Sequence, residues 1–227
     1  MGQALGDVLP LAVAIAIFPA PIIAVVLLLG AERGVARGLA FGLAWCAGLA
    51  AVGAIVLAVA GVIDATDDDD GEPATWVSLA LLGLGVLLVV LAVRGWRGRP
   101  RAGEEAPMPG WMRAIDGLTV ARAGAAGFAL SALNPKNEVL AAAAAAEIAE
   151  VGLPAGQQMA VLAGFVLVAS AGVLAPVVLT IALGDRSRGL LDGLRAALTR
   201  HSAAIMSVLF VVIGAKLVGD AIAGLTA

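Results

Sequence analysis

Two lysines stand inside apolar stretches of this chain, and each has neighbours that give a cation work to do. Lys136 lies in Asn134-Pro135-Lys136-Asn137, where Pro135 removes a backbone donor and interrupts any helix running through it. A helix restarting there would present free N–H groups and a positive dipole end beside the ammonium. That combination holds an anion: a carboxylate, a sulfate or a phosphate head group. Asn134 and Asn137 add neutral donors and acceptors for backbone groups freed by the break. The plainer alternative is that Lys136 pairs with Glu138 or Glu147 for structure, or snorkels to the surface. Lys216 has Asp220 four residues on, a spacing that puts both on one helix face. A self-neutralising pair is the bland reading; coupling to proton or substrate movement is the sharper one. Glu138, Glu147, Lys216 and Asp220 are therefore the candidate coupling residues.

Other chemistries find little support. There is no HExxH, no Gly-rich phosphate loop and no pair of aspartates at mid-depth, and no serine has a histidine placed to serve as its base, since His201-Ser202 sits at the cytoplasmic boundary beside Arg200. The chain reads as a non-enzyme that needs no cofactor. Cys46 is the one cysteine, so intrachain disulfides, CxxC pairs and multi-cysteine metal sites are excluded. Asp67–Asp70 lacks calcium-loop spacing and reads as a solvated loop. His201 carries no assigned role.

The elements that position these residues follow from hydrophobicity. The chain has 227 residues, is 61% hydrophobic and 14% charged, and has a mean hydropathy of +1.02. Soluble domains carry about 25% charged residues, so this is an integral membrane protein. Of its fourteen basic residues, all but the two lysines fall in three loops, at Arg33–Arg37, Arg94–Arg122 and Arg186–Arg200. The intervening loops are acidic. Lys and Arg collect on the cytoplasmic side, which places both termini outside. Nucleic-acid binding has no support, because topology accounts for the basic loops.

Six apolar blocks are expected to span, about Val8–Gly30, Leu39–Ile63, Trp76–Val93, Thr119–Ala149, Met159–Leu183 and Ala203–Leu225. The first is interrupted by Pro19 and Pro21, as the fourth is by Pro135. Three spans separate the two interruptions, so the halves would be inverted in the membrane, the arrangement that marks a transporter's central site. The expected fold is all-α, with six transmembrane helices as two inverted three-helix halves and helices 1 and 4 broken by proline. Residues 1–93 and 119–227 form the halves, joined by a cytoplasmic linker at 94–118. Pro19 and Pro21 would shape the wall facing Lys136. Trp76, Trp96 and Trp111 fall at interfacial positions, whereas Trp45 is mid-block and should pack between helices. In the last basic loop, Leu190, Leu191, Leu194 and Leu198 lie opposite Arg188 and Arg195, an amphipathic connector on the inner leaflet.

In PAPIIAVVLLL running on to Trp45, and in Leu133-Asn134-Pro135-Lys136-Asn137, the chain resembles the lysine-exporter (LysE) superfamily. Within it, the chain is most similar to the GAP (peptidoglycolipid-addressing) family, which includes the sulfolipid-addressing protein of mycobacteria. The resemblance covers both halves. It implies that Pro19, Pro21, Asn134, Pro135, Lys136 and Asn137 form a central substrate-binding motif. Ala20 departs from the Pro-Gly-Pro of amino-acid exporters and favours the lipid branch. The implied function is export of an envelope (peptido)glycolipid from the inner membrane, as transporter or transport partner. A proton-driven exporter of amino acids or cations is the alternative, and an accessory subunit docking a lipid synthase through Arg94–Arg101 is a third. Membrane lipids are the expected partners, and the Gly-rich helices would permit a homodimer.

Overall fold

The computed structural model describes residues 1–64, 75–98, 115 and 117–226, without the side chains of residues 62–64, 75–77 and 136. The acidic run Asp67–Asp70, most of the 94–118 linker, Trp111 and the Lys136 side chain lie outside that description. The described residues are helical and include no strand. The helices are α1 (Gly2–Ala16), α2 (Pro19–Gly30), α3 (Gly34–Asp64), α4 (Thr75–Arg97), α5 (Val120–Ala132), α6 (Pro135–Glu150), α7 (Ala155–Leu183) and α8 (Ser187–Thr226). Three stretches are long and apolar enough to cross a membrane: Gly34–Gly61, Ser78–Arg97 and Ala155–Thr226. The pair α1 and α2 makes a fourth if taken as one bent span. Large apolar side chains face outward along these helices, among them Leu43 at 65% and Leu167 at 69% exposure. In water such a belt would drive aggregation; in lipid it is the solvated surface.

The segment Ala155–Thr226 is 72 residues long, far more than one crossing needs. Contacts show that it doubles back. Along α7, Gly164 meets Leu5, Gly172 meets Ala16 and Gly38 brings Val177 against Leu29, so α7 runs parallel to the α1–α2 pair. Along α8, Leu191 clusters with Ile22 and Val26, while Phe210 meets Phe18 edge-on at 5.9 Å. Further on, Lys216 and Asp220 act on Glu147 together with Asp7 near the start of α1. α8 therefore returns in the opposite sense to α7. The reversal occurs at Gly184, whose φ of +53° is a left-handed turn that a side chain would disfavour.

α8 is one helix of 40 residues, not a surface connector followed by a separate span. No proline stands between Ser187 and Thr226, and the junction His201-Ser202-Ala203-Ala204 has nothing to stop a helix. Leu191 turns onto α2, with Leu198 packed beside it, while Leu190 and Leu194 are exposed.

Helix contacts rest on glycine. α4 and α8 cross antiparallel at Gly85 and Gly214, where a Cβ on either would stand within 2.9 Å of the other's carbonyl oxygen. Trp45 is fully buried and stacks on Phe41 with centroids 6.4 Å apart, between helices as its mid-block position requires.

Candidate functional site

Pro19 and Pro135 each open a helix, where a missing N–H costs nothing because the first amides of a helix have no internal partner. The residue before proline is pushed out of the helical region, and Phe18 is extended at φ −61°, ψ 120°. The preceding helices close in matching ways. Ile17 ends α1 at φ −98°, ψ 11°, and Leu133 ends α5 at φ −120°, ψ 5°. The axes of α1 and α2 bend by 50° across their break. Pro19 and Pro21 are both buried.

The second break is polar. Asn137 is fully buried, and its Nδ2 donates to the Leu130 carbonyl at 2.8 Å, satisfying an acceptor that helix interruption leaves free. The Asn134 carbonyl accepts from Asn137 N at 2.9 Å and Glu138 N at 3.0 Å, starting α6. Asn137 Oδ1 is buried with no hydrogen-bond partner in the described structure. An unmatched buried acceptor costs about 1–3 kcal/mol, so a donor such as a hydroxyl would be favoured at this atom. Glu138 sits in the first turn of α6, where the helix dipole favours a carboxylate. The two breaks are tied together through α1 packed on α6 and α2 touching α5.

Glycine marks both breaks. A Cβ on Gly172 of α7 would collide with the Ala16 carbonyl at the end of α1. A Cβ on Gly48 of α3 would collide with Ser131 Oγ near the end of α5. Neither glycine stood out in sequence among twenty-nine.

The coupling candidates divide. Lys216 Nζ donates to Glu147 Oε1 at 2.9 Å and to Asp220 Oδ2 at 2.6 Å, joining three of the four. Glu138 is nine residues from Glu147 along α6, about 14 Å at 1.5 Å per residue, and belongs to the break. The Glu147 side chain is 5% exposed, against 25% for Lys216 and 37% for Asp220. Sequence reading missed Asp7 and Glu150, which interact electrostatically with this group, and the buried Ser78 beside Glu150. The usable signal was orientation, since the expected topology puts the start of its first span and the ends of its fourth and sixth on one face. Among the described residues no group of three ligating side chains is arranged to hold a metal ion.

A bundle of long apolar helices with a lipid-facing belt, buried glycine contacts and a part-buried ion-pair network is an α-helical membrane protein. The sequence profile described as "Sap, sulfolipid-1-addressing protein" matches residues 8–223, and the chain belongs to that family. No curated protein and no solved structure matches it.

Proposed function

We propose that the chain exports an envelope glycolipid across the plasma membrane, or is an essential partner in that export, with the anionic head group held at the start of α6. The observation that carries this reading is the buried, unmatched Asn137 Oδ1 at the helix break, an acceptor for a head-group hydroxyl beside the anion, in a chain of a lipid-addressing family. Lys136, in the first turn of α6, would supply the charge, and Pro19 and Pro21 the apolar wall.

The finer topology belongs to the same proposal. It has six spans, with α1–α2 and α5–α6 each forming one, both termini outside, and two inverted halves. Support comes from the way contacts repeat when the halves are exchanged. α1 on α7 matches α5 on α3, α2 on α8 matches α6 on α4, and α2 on α7 matches α6 on α3. The pairs α4–α8 and α3–α7 map onto themselves, and each is antiparallel, as inversion demands. Exchange of exposure between the two faces would proceed by rocking one half against the other. A lipid synthase docked through Arg94–Arg101, and a homodimer, are compatible additions to this scheme.

The test is lipid analysis, surface-extractable against cell-retained, in a deletion strain carrying wild type or Lys136→Gln. A surface glycolipid that is lost from the extract, retained inside and restored by wild type alone supports the reading. Unchanged lipid profiles in every strain would sink it and move attention to efflux of soluble solutes.

A further inference from the structure

At the end of the bundle where α1 begins and α8 ends, carboxylates outnumber the cations facing them. Lys216 is shared between Glu147 and Asp220. One ammonium cannot neutralise two carboxylates, so with both ionised the triad keeps a net negative charge. Asp7 from α1 and Glu150 from α6 add to it. The other elements here offer no relief. α7 opens with Gln157 and Gln158, α3 carries no charged residue between Arg37 and Gly61, and α4 brings the Ser78 hydroxyl. Glu147 is the most deeply buried of the carboxylates in the triad. Burying a charge that is not fully matched is costly.

A second observation marks the same end of the bundle as incompletely matched. Ser78 Oγ is buried and has no hydrogen-bond partner in the described structure. It stands with Glu150 Oε1 against the face of Gly224 where a side chain would begin. A hydroxyl is both donor and acceptor, and this one is placed beside a half-buried carboxylate one helical turn from Glu147.

We infer that this cluster is a binding site for one proton, carried on Glu147. A proton from the aqueous face adds to a Glu147 carboxylate oxygen, forming an O–H bond and a neutral acid. Lys216 keeps its own protons and its hydrogen bond to Asp220, and the triad becomes neutral. On release the proton returns to water and Lys216 regains Glu147. Nothing is oxidised or reduced. Because Glu147 and Asn137 lie on the same short helix, occupancy at one end of α6 bears on the position of the other. In that role the site rests on the export reading; as a proton site it does not.

The experiment is infrared difference spectroscopy of the purified full chain in lipid nanodiscs, titrated from neutral to acid pH. Wild type is expected to show a protonated-carboxyl C=O component that shifts in D2O, is lost in Glu147→Gln and persists in Asp220→Asn only at more acid pH, because Lys216 then serves Glu147 alone. Glu147→Asp should restore it at a displaced frequency. The double variant Glu147→Gln/Lys216→Met removes both charges together, so it guards against misfolding of the single variant and should lack the same component. A wild-type spectrum without a Glu147-dependent component, or a component that follows Asp220 instead, overturns the proposal. Loss of the component when sodium replaces choline at fixed pH would make this a sodium site and also overturn it. The titration uses no substrate lipid, so its failure leaves the export assay untouched, and the reverse holds too.

Discussion

The two helix breaks are alike in backbone and opposite in chemistry. Between α1 and α2 everything is apolar: Ile17, Phe18, Pro19, Ala20 and Pro21. The neighbouring helix lies so close that Gly172 has no room for a methyl group before the Ala16 carbonyl. Between α5 and α6 the break is sewn by side chains, Asn137 to Leu130 and Ser131 to Phe128 at 3.0 Å, and what meets Gly48 is a hydroxyl. The first break is held by shape. The second is held by hydrogen bonds and has one acceptor left over, which is why the ligand is assigned there and the wall to Pro19 and Pro21.

That contrast can be broken by substitution. The largest effect is expected from Gly172→Ala, because a backbone carbonyl cannot rotate away. Destabilisation of about 3 kcal/mol, the upper end for overpacking, should appear in thermal unfolding in detergent. Asn137→Ala comes next, at about 1–3 kcal/mol, from the orphaned Leu130 carbonyl. A loss below the noise of denaturation would mean the second break is held by something else. Gly48→Ala should cost about 1 kcal/mol, because Ser131 can turn aside, and Gly48→Ala/Ser131→Ala should recover most of it. If the double variant is no better than the single, the collision is with the backbone here too, and the two breaks are alike after all. The smallest effect belongs to Pro135→Ala. With Asn137 still bridging to Leu130, the distance between spin labels on α5 and α6 should stay put, whereas Pro19→Ala/Pro21→Ala should lengthen the same measurement across α1 and α2.

Local chemistry was readable from the residues themselves. Proline opens helices because it lacks a donor, and Lys216 with Asp220 four residues on must share a face. The buried Trp45 followed from its place in the middle of an apolar run. What could not be read was whatever depends on which helices touch. Glu147 and Lys216 are 69 residues apart, and nothing in either neighbourhood says that α6 and α8 converge. The continuity of α8 was missed for a different reason. A change from amphipathic to uniformly apolar pattern looks like a boundary, but hydrogen bonding in a helix responds to breakers and not to polarity. Asn137 was expected to satisfy a backbone group freed by the break, and it does, yet its partner Leu130 is chosen by the geometry of the break.

The length of α8 has a mechanical consequence. At 1.5 Å per residue its 40 residues make a rod of about 60 Å, crossed by α4 at Gly85 and Gly214. α4 packs along this rod from Ser207, against Gly95, to Gly224, against Ser78, which leaves about 30 Å of it toward Ser187 free of α4. A bend of roughly 5° where that contact ends would leave the cluster at Lys216 and Asp220 in place. The free arm, resting on α2 through Leu191, would sweep between about 2 and 3 Å. Movement at one face of the membrane is thereby kept from the ion pairs at the other.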